Sequence, residues 1–259
     1  MPSQTVIDHQ TNNDLDDPAC WLVAHRGWPD AHPENSLEGM RAVLEAGARF
    51  VEFDVQISAD GRAVVIHDDE LTRLAGQRQR VTGLSLSQVL SLRIAGPTGN
   101  TARIPTLEAM LELIEHYPGV TAFVELKRQS IDRRGLRKSV ECVLQCMSEA
   151  ACPSVLISFR WRAVRLAQRR GKVPVGWVFR PWSPLARSLA GWLKPDYLFV
   201  RADRVPERPR PFWPGPWRWV IYGIKDLQSG QDLRTRGADL IEVDDLPGLL
   251  GREPADRAG

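Results

Sequence analysis

The feature that most constrains this chain is a repeated alternation of short apolar runs with stretches of helical periodicity. Eight runs of four to seven residues are rich in Val, Ile, Phe or Trp, as the buried strands of parallel sheets are. They are Trp21–Ala24, Phe50–Val55, Val120–Leu126, Val155–Phe159, Val173–Phe179, Tyr197–Val200, Trp217–Tyr222 and Leu240–Val243. Helical patterns separate most of them; the first helix is predicted to begin at Asn35 and to stop at Gly47. This alternation predicts an α/β protein, a (β/α)8 TIM barrel, with a doubly wound open sheet as the competing architecture.

Two regions interrupt the alternation. Residues 69–104 are polar around one short helical pattern, which predicts a small insertion after the second strand. Residues 201–216 contain five prolines, so the sixth crossover of the barrel is predicted to lack its helix. The expected organisation is a polar leader over residues 1–20, a single barrel domain over residues 21–250 and a polar tail over residues 251–259.

Charge and composition exclude several classes of protein. The 34 Lys and Arg nearly balance the 32 Asp and Glu, which gives no reason to expect nucleic-acid binding. No apolar run approaches the roughly 20 residues that a membrane-spanning helix needs. The first 20 residues carry four Asp and neither Lys nor Arg, unlike a signal peptide, so a cytoplasmic protein is expected.

Tryptophan is concentrated in one part of the chain. Six of the nine Trp lie between Trp177 and Trp219, among many prolines. The favoured interpretation is that they fill the corner left by the missing crossover helix. Amphipathic aromatic residues also settle at membrane surfaces, which leaves peripheral membrane contact as the alternative.

Two carboxylates lie on one face of the second predicted strand. Glu52 and Asp54 are two residues apart, so both side chains point to the same side of a strand. Two neighbouring carboxylates repel each other and are costly to desolvate unless a cation lies between them. Oxygen ligands suit Mg²⁺ or Ca²⁺. The alternative is an ordinary solvated strand face.

The third strand ends in a similar pattern. Glu125 and Lys127 share a face, which places an acid and a base together at a strand end. One interpretation is a structural ion pair. The other makes Glu125 a third metal ligand and Lys127 a partner for an anion beside the metal.

Two histidines directly follow apolar runs. His25 and Arg26 follow the first strand, and His67 follows the run Ala63–Ile66. Barrel enzymes build their active sites at these strand ends. Two imidazoles can act as general base and general acid near neutral pH, and Arg26 with Lys127 can bind a phosphate. Together these groups predict metal-assisted attack at phosphorus.

A series of motifs in the first half of the chain is specific enough to indicate one protein family. In order they read Ala-His-Arg-Gly at 24–27, Pro-Glu-Asn-Ser at 33–36, Glu-Phe-Asp-Val at 52–55 and Asp-Gly-Arg-Ala-Val-Val-Ile-His-Asp at 60–68. This pattern resembles the glycerophosphodiester phosphodiesterase family. Shorter matches continue at 104–108, 125–127 and 158–159, so the resemblance spans about residues 21 to 248.

The resemblance implies a TIM barrel that uses a divalent metal to hydrolyse glycerophosphodiesters to glycerol 3-phosphate and an alcohol. In this family the glycerol 2-hydroxyl attacks phosphorus, and water then opens the cyclic product. By analogy His25 is the first base and His67 the first acid, with the roles reversed in the second step. The other implied roles are metal ligation by Glu52, Asp54 and Glu125, and phosphate binding by Arg26 and Lys127.

The second half of the chain departs from the family pattern. Val243 replaces a Thr, and Glu242 shares a strand face with Asp244 although no metal ligand is expected there. Phe159, Trp219 and Tyr222 are predicted to line the substrate pocket. Because Tyr222 replaces a small amide, a narrowed mouth that favours compact head groups is expected.

Two other functions remain open at this point. One is a lysophospholipase D-like enzyme that acts on lysophospholipids, and the other is an inactive barrel that only binds phosphodiesters. An intact set of two histidines and three carboxylates argues against a pure binder, since binding needs no acid–base pair. The oligomeric state is not predicted by the sequence.

Overall fold

The computed structural model describes residues 17–171, 173–207 and 212–252. Its centre is a closed sheet of parallel strands. These strands are β1 (Leu22–His25), β2 (Phe50–Ile57), β6 (Thr121–Leu126), β7 (Ser154–Ser158), β8 (Val175–Phe179), β9 (Tyr197–Arg201), β10 (Arg218–Ile224) and β11 (Leu240–Val243). Each pairs with its neighbour in this order, and β1 pairs with both β11 and β2. That closure confirms the predicted (β/α)8 barrel and excludes the open sheet.

Helices cover the outside of the barrel. They are α1 (Leu37–Glu45), α2 (Thr72–Ala75), α3 (Leu86–Ser91), α4 (Leu107–Glu115), α5 (Arg128–Arg134), α6 (Leu136–Glu149), α7 (Trp161–Arg170), α8 (Pro184–Leu193), α9 (Leu227–Thr235) and α10 (Leu246–Leu250). The apolar faces of these helices, apart from α2 and α3, pack on the strands in one continuous core. Short 3₁₀ turns lie at Pro18–Cys20, Val81–Gly83 and Ala202–Arg204.

The insertion after β2 is larger than the sequence predicted. It occupies residues 58–106, between the end of β2 and the start of α4. Strand β3 (Ala63–Val65) returns antiparallel along β2, and β4 (Arg93–Ala95) forms a hairpin with β5 (Thr101–Arg103). A second hydrophobic cluster, separate from the barrel core, holds these elements together.

The sixth crossover, between β9 and β10, contains no α-helix within the part of the chain that is described. Aromatic side chains fill the corner: Trp182, Trp213 and Trp219 lie within 5.6 Å of one another by ring centroids. The interpretation of the Trp-rich stretch as corner packing therefore holds for this cluster. Trp192 is the exception, because 56% of it is exposed.

The ends of the chain are only partly described. Of the predicted polar leader, residues 17–20 are described, and they form the short turn before β1. Of the predicted tail, only Gly251 and Arg252 are described. The remainder of both predictions lies outside the described residues.

The predicted start of the first helix needs correction. Ser36, rather than Asn35, caps α1, and its side chain accepts a hydrogen bond from the Gly39 amide. Asn35 has a left-handed backbone with φ of 62° and is fully buried. Its amide side chain is used elsewhere, at the carboxyl end of β2. The predicted stop at Gly47 agrees with its φ of 94°.

Candidate active site

A cavity of about 620 Å³ opens at the carboxyl ends of the barrel strands. Parallel strands that close into a barrel direct the side chains after their carboxyl ends toward one mouth. Of the residues predicted from the sequence, those that line the cavity are His25, Arg26, Glu52, His67, Glu125, Lys127, Phe159 and Tyr222. Asp54 lies just beneath them, only 1% exposed.

Strand register brings the predicted metal ligands together. Strands β2 and β6 are neighbours, and Asp54 pairs directly with Glu125 in their register. Glu52 lies two residues earlier on the same face of β2. One carboxylate oxygen from each of the three lies within 4.8 Å of the others, so a single small ion can contact all of them.

Asp54 is surrounded by cations and an amide. Its two oxygens contact Lys127 Nζ at 2.9 Å and Arg26 Nε at 2.8 Å. Asn35 Nδ2 donates a hydrogen bond to Asp54 Oδ2, and the Asp54 amide donates one back to Asn35 Oδ1, both at 3.0 Å. Burial opposes ionisation of Asp54, but Lys127 and Arg26 outweigh burial and hold its pKa well below the usual range.

Glu52 lies in the opposite electrostatic environment. It is 2% exposed, and its Oε2 atom has no hydrogen-bond partner among the residues described. Burial, together with the nearby charges of Asp54 and Glu242, raises the pKa of Glu52 well above its ordinary value. Burial also raises the pKa of Glu242, to about 7. Such an unpartnered buried oxygen among carboxylates fits a site built for a cation.

His25 is held by a carboxylate directly after the last strand. Asp244 Oδ1 lies 2.6 Å from His25 Nδ1, while His25 Nε2 lies 3.6 Å from Glu242 and 3.8 Å from Glu52. Burial alone would lower the pKa of His25, but the charge of Glu242 and the hydrogen bond to Asp244 raise it. The ring is therefore oriented with Nε2 toward the acidic group.

His67 is held by a second carboxylate and a chain of ion pairs. Its Nδ1 lies 2.7 Å from Asp68 Oδ1, and Asp68 Oδ2 lies 2.6 Å from Arg73 Nε. Arg73 in turn makes a bidentate pair with Glu34, both contacts at 2.8 Å, and Glu34 also contacts Arg26. Burial lowers the pKa of His67, which favours its neutral form.

The loop after β1 adopts an uncommon backbone. Arg26 has a φ of 57°, and Gly27 after it has a φ of 79°. A Cβ on Gly27 would come within 2.7 Å of the Gly39 backbone carbon at the start of α1. Left-handed non-glycine residues are costly and cluster at functional sites. Here that conformation turns the Arg26 side chain back toward Asp54.

Two of the three residues predicted to line the substrate pocket do line the cavity, and the third does not. Phe159 and Tyr222 line the cavity, and burial raises the pKa of Tyr222 to about 12. Trp219 lies outside the cavity, which corrects its predicted role. It is three residues before Tyr222 and so projects from the opposite face of β10, where it is 4% exposed and donates from Nε1 to the Trp213 carbonyl.

Several site residues were not predicted from the sequence. The sequence indicates only that Glu242 and Asp244 share a strand face, and it predicts Asn35 as a helix cap. Glu242 forms a second group with His25 and Glu52, with one potential ligand atom each within 4.8 Å of the others. The sequence does contain a signal for Glu242 and Asp244: they are two residues apart, which is the same spacing as that of Glu52 and Asp54.

Lysine and arginine at the site are paired with acids. Besides Asp54, Lys127 contacts Glu125 Oε1 at 2.9 Å. This ion pair agrees with the structural alternative considered for Lys127, but the side chain also lines the cavity, where an anion can approach it. Burial opposes the charge of Lys127, yet Asp54 and Glu125 raise its pKa, so it stays cationic.

The fold and the site together define a class of protein: a (β/α)8 barrel whose carboxyl-end cavity holds paired carboxylates, two oriented histidines and two cations. Comparison with known proteins narrows the class. The chain belongs to the glycerophosphoryl diester phosphodiesterase family, whose model matches residues 25–209.

Individual relatives agree with this membership. A glycerophosphodiester phosphodiesterase of Caldanaerobacter subterraneus is 35% identical over 88% of this chain and 96% of its own length. One from Bacillus altitudinis is 32% identical over 46% of this chain. The chain spans only 50% of that Bacillus altitudinis protein and 66% of a matched Bacillus subtilis relative, less than two thirds of either.

Solved structures support the fold. An Oleispira antarctica phosphodiesterase, in complex with the product sn-glycerol-3-phosphate, matches with a TM-score of 0.77 at 20% identity, covering 90% of this chain and 96% of that one. A glycerophosphodiester phosphodiesterase from Thermotoga maritima matches with a TM-score of 0.69 at 20% identity, covering 89% of this chain and 96% of that one.

Across the described residues, no helix has the length and apolar character needed to cross a membrane.

Proposed function

We propose that this protein hydrolyses glycerophosphodiesters to glycerol 3-phosphate and an alcohol, with a divalent metal and a pair of histidines. The observation that carries the proposal is convergence: His25, His67, Glu52, Glu125 and Lys127 all line one cavity. Membership of the family agrees with this chemistry. A barrel that only bound phosphodiesters would need neither two oriented imidazoles nor a buried cation site.

Glu52, Asp54 and Glu125 would hold the metal. All three are acidic and at least nine-tenths buried, and Glu52 Oε2 has no hydrogen-bond partner in the described chain. All-oxygen donors suit Mg²⁺ or Ca²⁺ rather than softer metals. When bound, the ion would stabilise negative charge on the phosphate oxygens.

The protein's own groups would handle the protons. His25, oriented by Asp244, would take the proton of the glycerol 2-hydroxyl as its oxygen bonds to phosphorus. His67, oriented by Asp68, would give a proton to the alcohol oxygen as its bond to phosphorus breaks. In the second step, water attacks the cyclic phosphodiester and the two histidines exchange roles.

Arg26 and Lys127 would bind the phosphate. Both line the cavity, and both stay cationic because neighbouring carboxylates raise their pKa values despite burial. Fixed cations beside a phosphoryl group stabilise its charge more effectively in a buried site than in water. Phe159 and Tyr222 would contact the substrate beyond the phosphate.

The test is product analysis with controlled metal. After chelator treatment, glycerophosphocholine should not be cleaved; Mg²⁺ or Ca²⁺ should restore release of glycerol 3-phosphate and choline. Glu125→Gln should lose this recovery, while Glu149→Gln, an exposed carboxylate change on α6, should retain it. Full activity after exhaustive chelation, or choline phosphate as the product, would contradict the proposal.

A further inference from the structure

A second group of potential metal ligands lies beside the first, on the side of the cavity where β1 ends. It consists of His25, Glu52 and Glu242, and one ligand atom from each lies within 4.8 Å of the others. All three side chains line the cavity. The proposed hydrolysis uses His25 and Glu52 but gives no part to Glu242, which is only 5% exposed. A buried carboxylate is costly without a positive partner, so its presence here points to a ligand.

Three neighbouring strands hold this group in place. Strand β1 lies between β11 and β2; Val23 of β1 pairs with Glu242, and His25 pairs with Glu52. Val23 and His25 are two residues apart, so Glu52 and Glu242 flank His25 from the two sides of β1. All three potential ligands belong to strands. The barrel wall therefore positions the group, and no loop has to close to form it.

The distances within the group fit a small cation. His25 Nε2 lies 3.6 Å from Glu242 Oε1 and 3.8 Å from Glu52 Oε2. Donor atoms bound at about 2.1 Å to a tetrahedral ion lie about 3.4 Å apart, so small side-chain movements would let all three contact one ion. Glu52 Oε2 is buried, faces His25 and has no hydrogen-bond partner in the described chain. A buried oxygen without a partner is what a bound cation would satisfy.

The other nitrogen of His25 is held as it is in metal-binding imidazoles. Asp244 Oδ1 lies 2.6 Å from His25 Nδ1. Histidines that bind metals almost always donate the second ring N–H to a carboxylate, a carbonyl or water, which fixes the tautomer and makes the ligating nitrogen more basic. With the proton on Nδ1, the lone pair of Nε2 is directed toward the acidic group. The contact to Asp244 therefore favours ligation through Nε2.

We propose that His25, Glu52 and Glu242 form a second cation site, and that its ion is the borderline metal Zn²⁺. An imidazole ligand favours zinc over Mg²⁺ and Ca²⁺, whereas the all-oxygen group of Glu52, Asp54 and Glu125 favours those harder ions. Glu52 has two carboxylate oxygens and can therefore serve both sites. Three protein ligands leave a fourth position on the cavity side, where water can bind.

Zinc at this second site would inhibit the proposed hydrolysis. The base needs the lone pair of His25 Nε2 to accept the proton of the glycerol 2-hydroxyl, and coordination to zinc uses the same lone pair. His25 Nδ1 cannot replace it, because Asp244 engages that nitrogen. The inhibition rests on the proposed function, while the binding of zinc does not.

Calorimetry with Zn²⁺ in excess Mg²⁺ is the first test and needs no substrate. Wild type should bind zinc at a site that Glu242→Gln binds at least tenfold more weakly. Asp244→Asn should weaken it roughly 10- to 100-fold, as loss of an outer partner of a ligating histidine does. Glu125→Gln should keep the zinc site, because Glu125 lies outside this group. The control Glu149→Gln, an exposed carboxylate change on α6, should bind zinc as wild type does.

Thiols are the rival zinc ligands among the described residues. Cys142 and Cys146 are four residues apart on α6, far along the chain from the three proposed ligands. Cys142→Ser should leave the zinc affinity unchanged. Zinc binding that Cys142→Ser loses and Glu242→Gln keeps would overturn the proposal.

Inhibition of turnover is the second test. With glycerophosphocholine and Mg²⁺, zinc should inhibit wild type. The zinc concentration that halves the rate should be at least tenfold higher for Glu242→Gln, with each protein compared with its own zinc-free rate. Equal sensitivity to zinc in the two proteins would overturn the inference.

The two tests separate this inference from the proposed function. Zinc binding that depends on Glu242, in a protein that cleaves no glycerophosphodiester with any metal, would support the second site and overturn the hydrolysis. Cleavage that depends on Mg²⁺, with zinc binding that does not depend on Glu242, would overturn the second site and leave the hydrolysis intact.

Discussion

At the scale of single residues, the site depends on how each imidazole is held. His25 and His67 each have Nδ1 engaged by a carboxylate, from Asp244 and Asp68 respectively. A hydrogen bond at one ring nitrogen fixes the orientation of the other nitrogen. In the proposed mechanism both Nε2 atoms would therefore transfer protons, and the two carboxylates would position the rings rather than react.

Loss of either histidine should affect chemistry far more than folding. His25→Ala and His67→Ala should each lower kcat roughly 10²–10⁴-fold, because proton transfer in the transition state is lost. Steady-state kinetics on glycerophosphocholine would measure this, with His116→Ala, an exposed histidine at the end of α4, as the control. The double variant should lose little more than the worse single one, as for residues that act as a unit. Near-normal turnover by His25→Ala would show that it has no catalytic role.

Asp244 offers a test of positioning. Asp244→Asn keeps the size of the side chain but removes the charge that orients His25 and favours its protonated form. We expect kcat to fall about tenfold to 100-fold with a smaller change in KM, as for partners that orient a functional histidine. Asp226→Asn, which removes an exposed carboxylate at the cap of α9, should leave both constants unchanged. A loss confined to KM would assign Asp244 to substrate binding instead.

Motif spacing in the sequence predicted the residues that end strands, and closure of the barrel supplied the rest. Glu52 and Asp54 could be paired because they lie on one strand. Asp244 could not be assigned to His25, since 219 residues separate them and only the β1–β11 pairing joins their strands. The prediction that Trp219 lines the pocket is wrong, because the sequence does not show which face of β10 turns inward.

At the scale of elements, the insertion positions His67. Strand β2 extends to Ile57, three residues beyond Asp54, and β3 then runs back antiparallel beside it. This return brings His67 to the level of Asp54, because the Ile66 amide donates to the Asp54 carbonyl. The sequence predicted an insertion, but not its own hydrophobic cluster or this reversal, since both depend on pairing between short segments.

Arg73 on α2 joins the insertion to the barrel through Asp68 and Glu34. Its side chain is 49% exposed, so solvent screens these pairs; Arg73→Met should cost only about 1 kcal/mol of unfolding free energy at pH 7. Burial opposes the effect, but hydrogen bonds from Arg73 hold the pKa values of both acids below their ordinary values. Their contribution is therefore complete above the ordinary carboxyl pKa and is lost as the pH falls through the lowered values.

Chemical denaturation at pH 7 and at pH 3.5 to 4 would measure this difference. The gap between wild type and Arg73→Met should narrow at the lower pH. The control is Arg137→Met, which removes a pair with Glu141 on α6 where the arginine is 70% exposed. That control should cost less than about 0.5 kcal/mol at either pH, as exposed helical pairs do. A gap for Arg73→Met that widens in acid would contradict the assigned ion pairs.

At the scale of the whole molecule, barrel closure produces a cavity with unlike sides. Strands β1, β2, β6 and β11 bring the acids and His25, and the insertion brings His67. The ends of β7 and β8 and the helix α8 bring apolar side chains. The order of strands could be predicted from the sequence once the barrel was assumed. The apolar wall of the cavity could not, because it combines residues at the ends of two strands with one face of a helix. Tyr222 lines the cavity, and the narrow mouth expected from its size stays a prediction.

Binding of an ion at the proposed metal site should also affect the stability of the whole fold. Ionised Glu52 is buried beside Asp54 and Glu242, and its raised pKa means that its charge destabilises the metal-free protein near neutral pH. An ion that binds only the folded state at 100 times its Kd adds about 2.7 kcal/mol. For a chain of this size that corresponds to a rise in Tm of roughly 5–10 °C.

Thermal unfolding of chelator-treated protein, with and without Mg²⁺ or Ca²⁺, tests this directly and needs no substrate. Wild type should show the rise in Tm. Glu52→Gln should raise the Tm of the metal-free protein, because it removes a buried charge that has no hydrogen-bond partner. The same variant should lose most of the metal-dependent rise in Tm, because it removes a metal ligand. Glu149→Gln should behave as wild type in both conditions. If Glu52→Gln instead lowered the metal-free Tm while keeping the full rise with metal, Glu52 would be a structural partner of the fold and the cation would lie elsewhere.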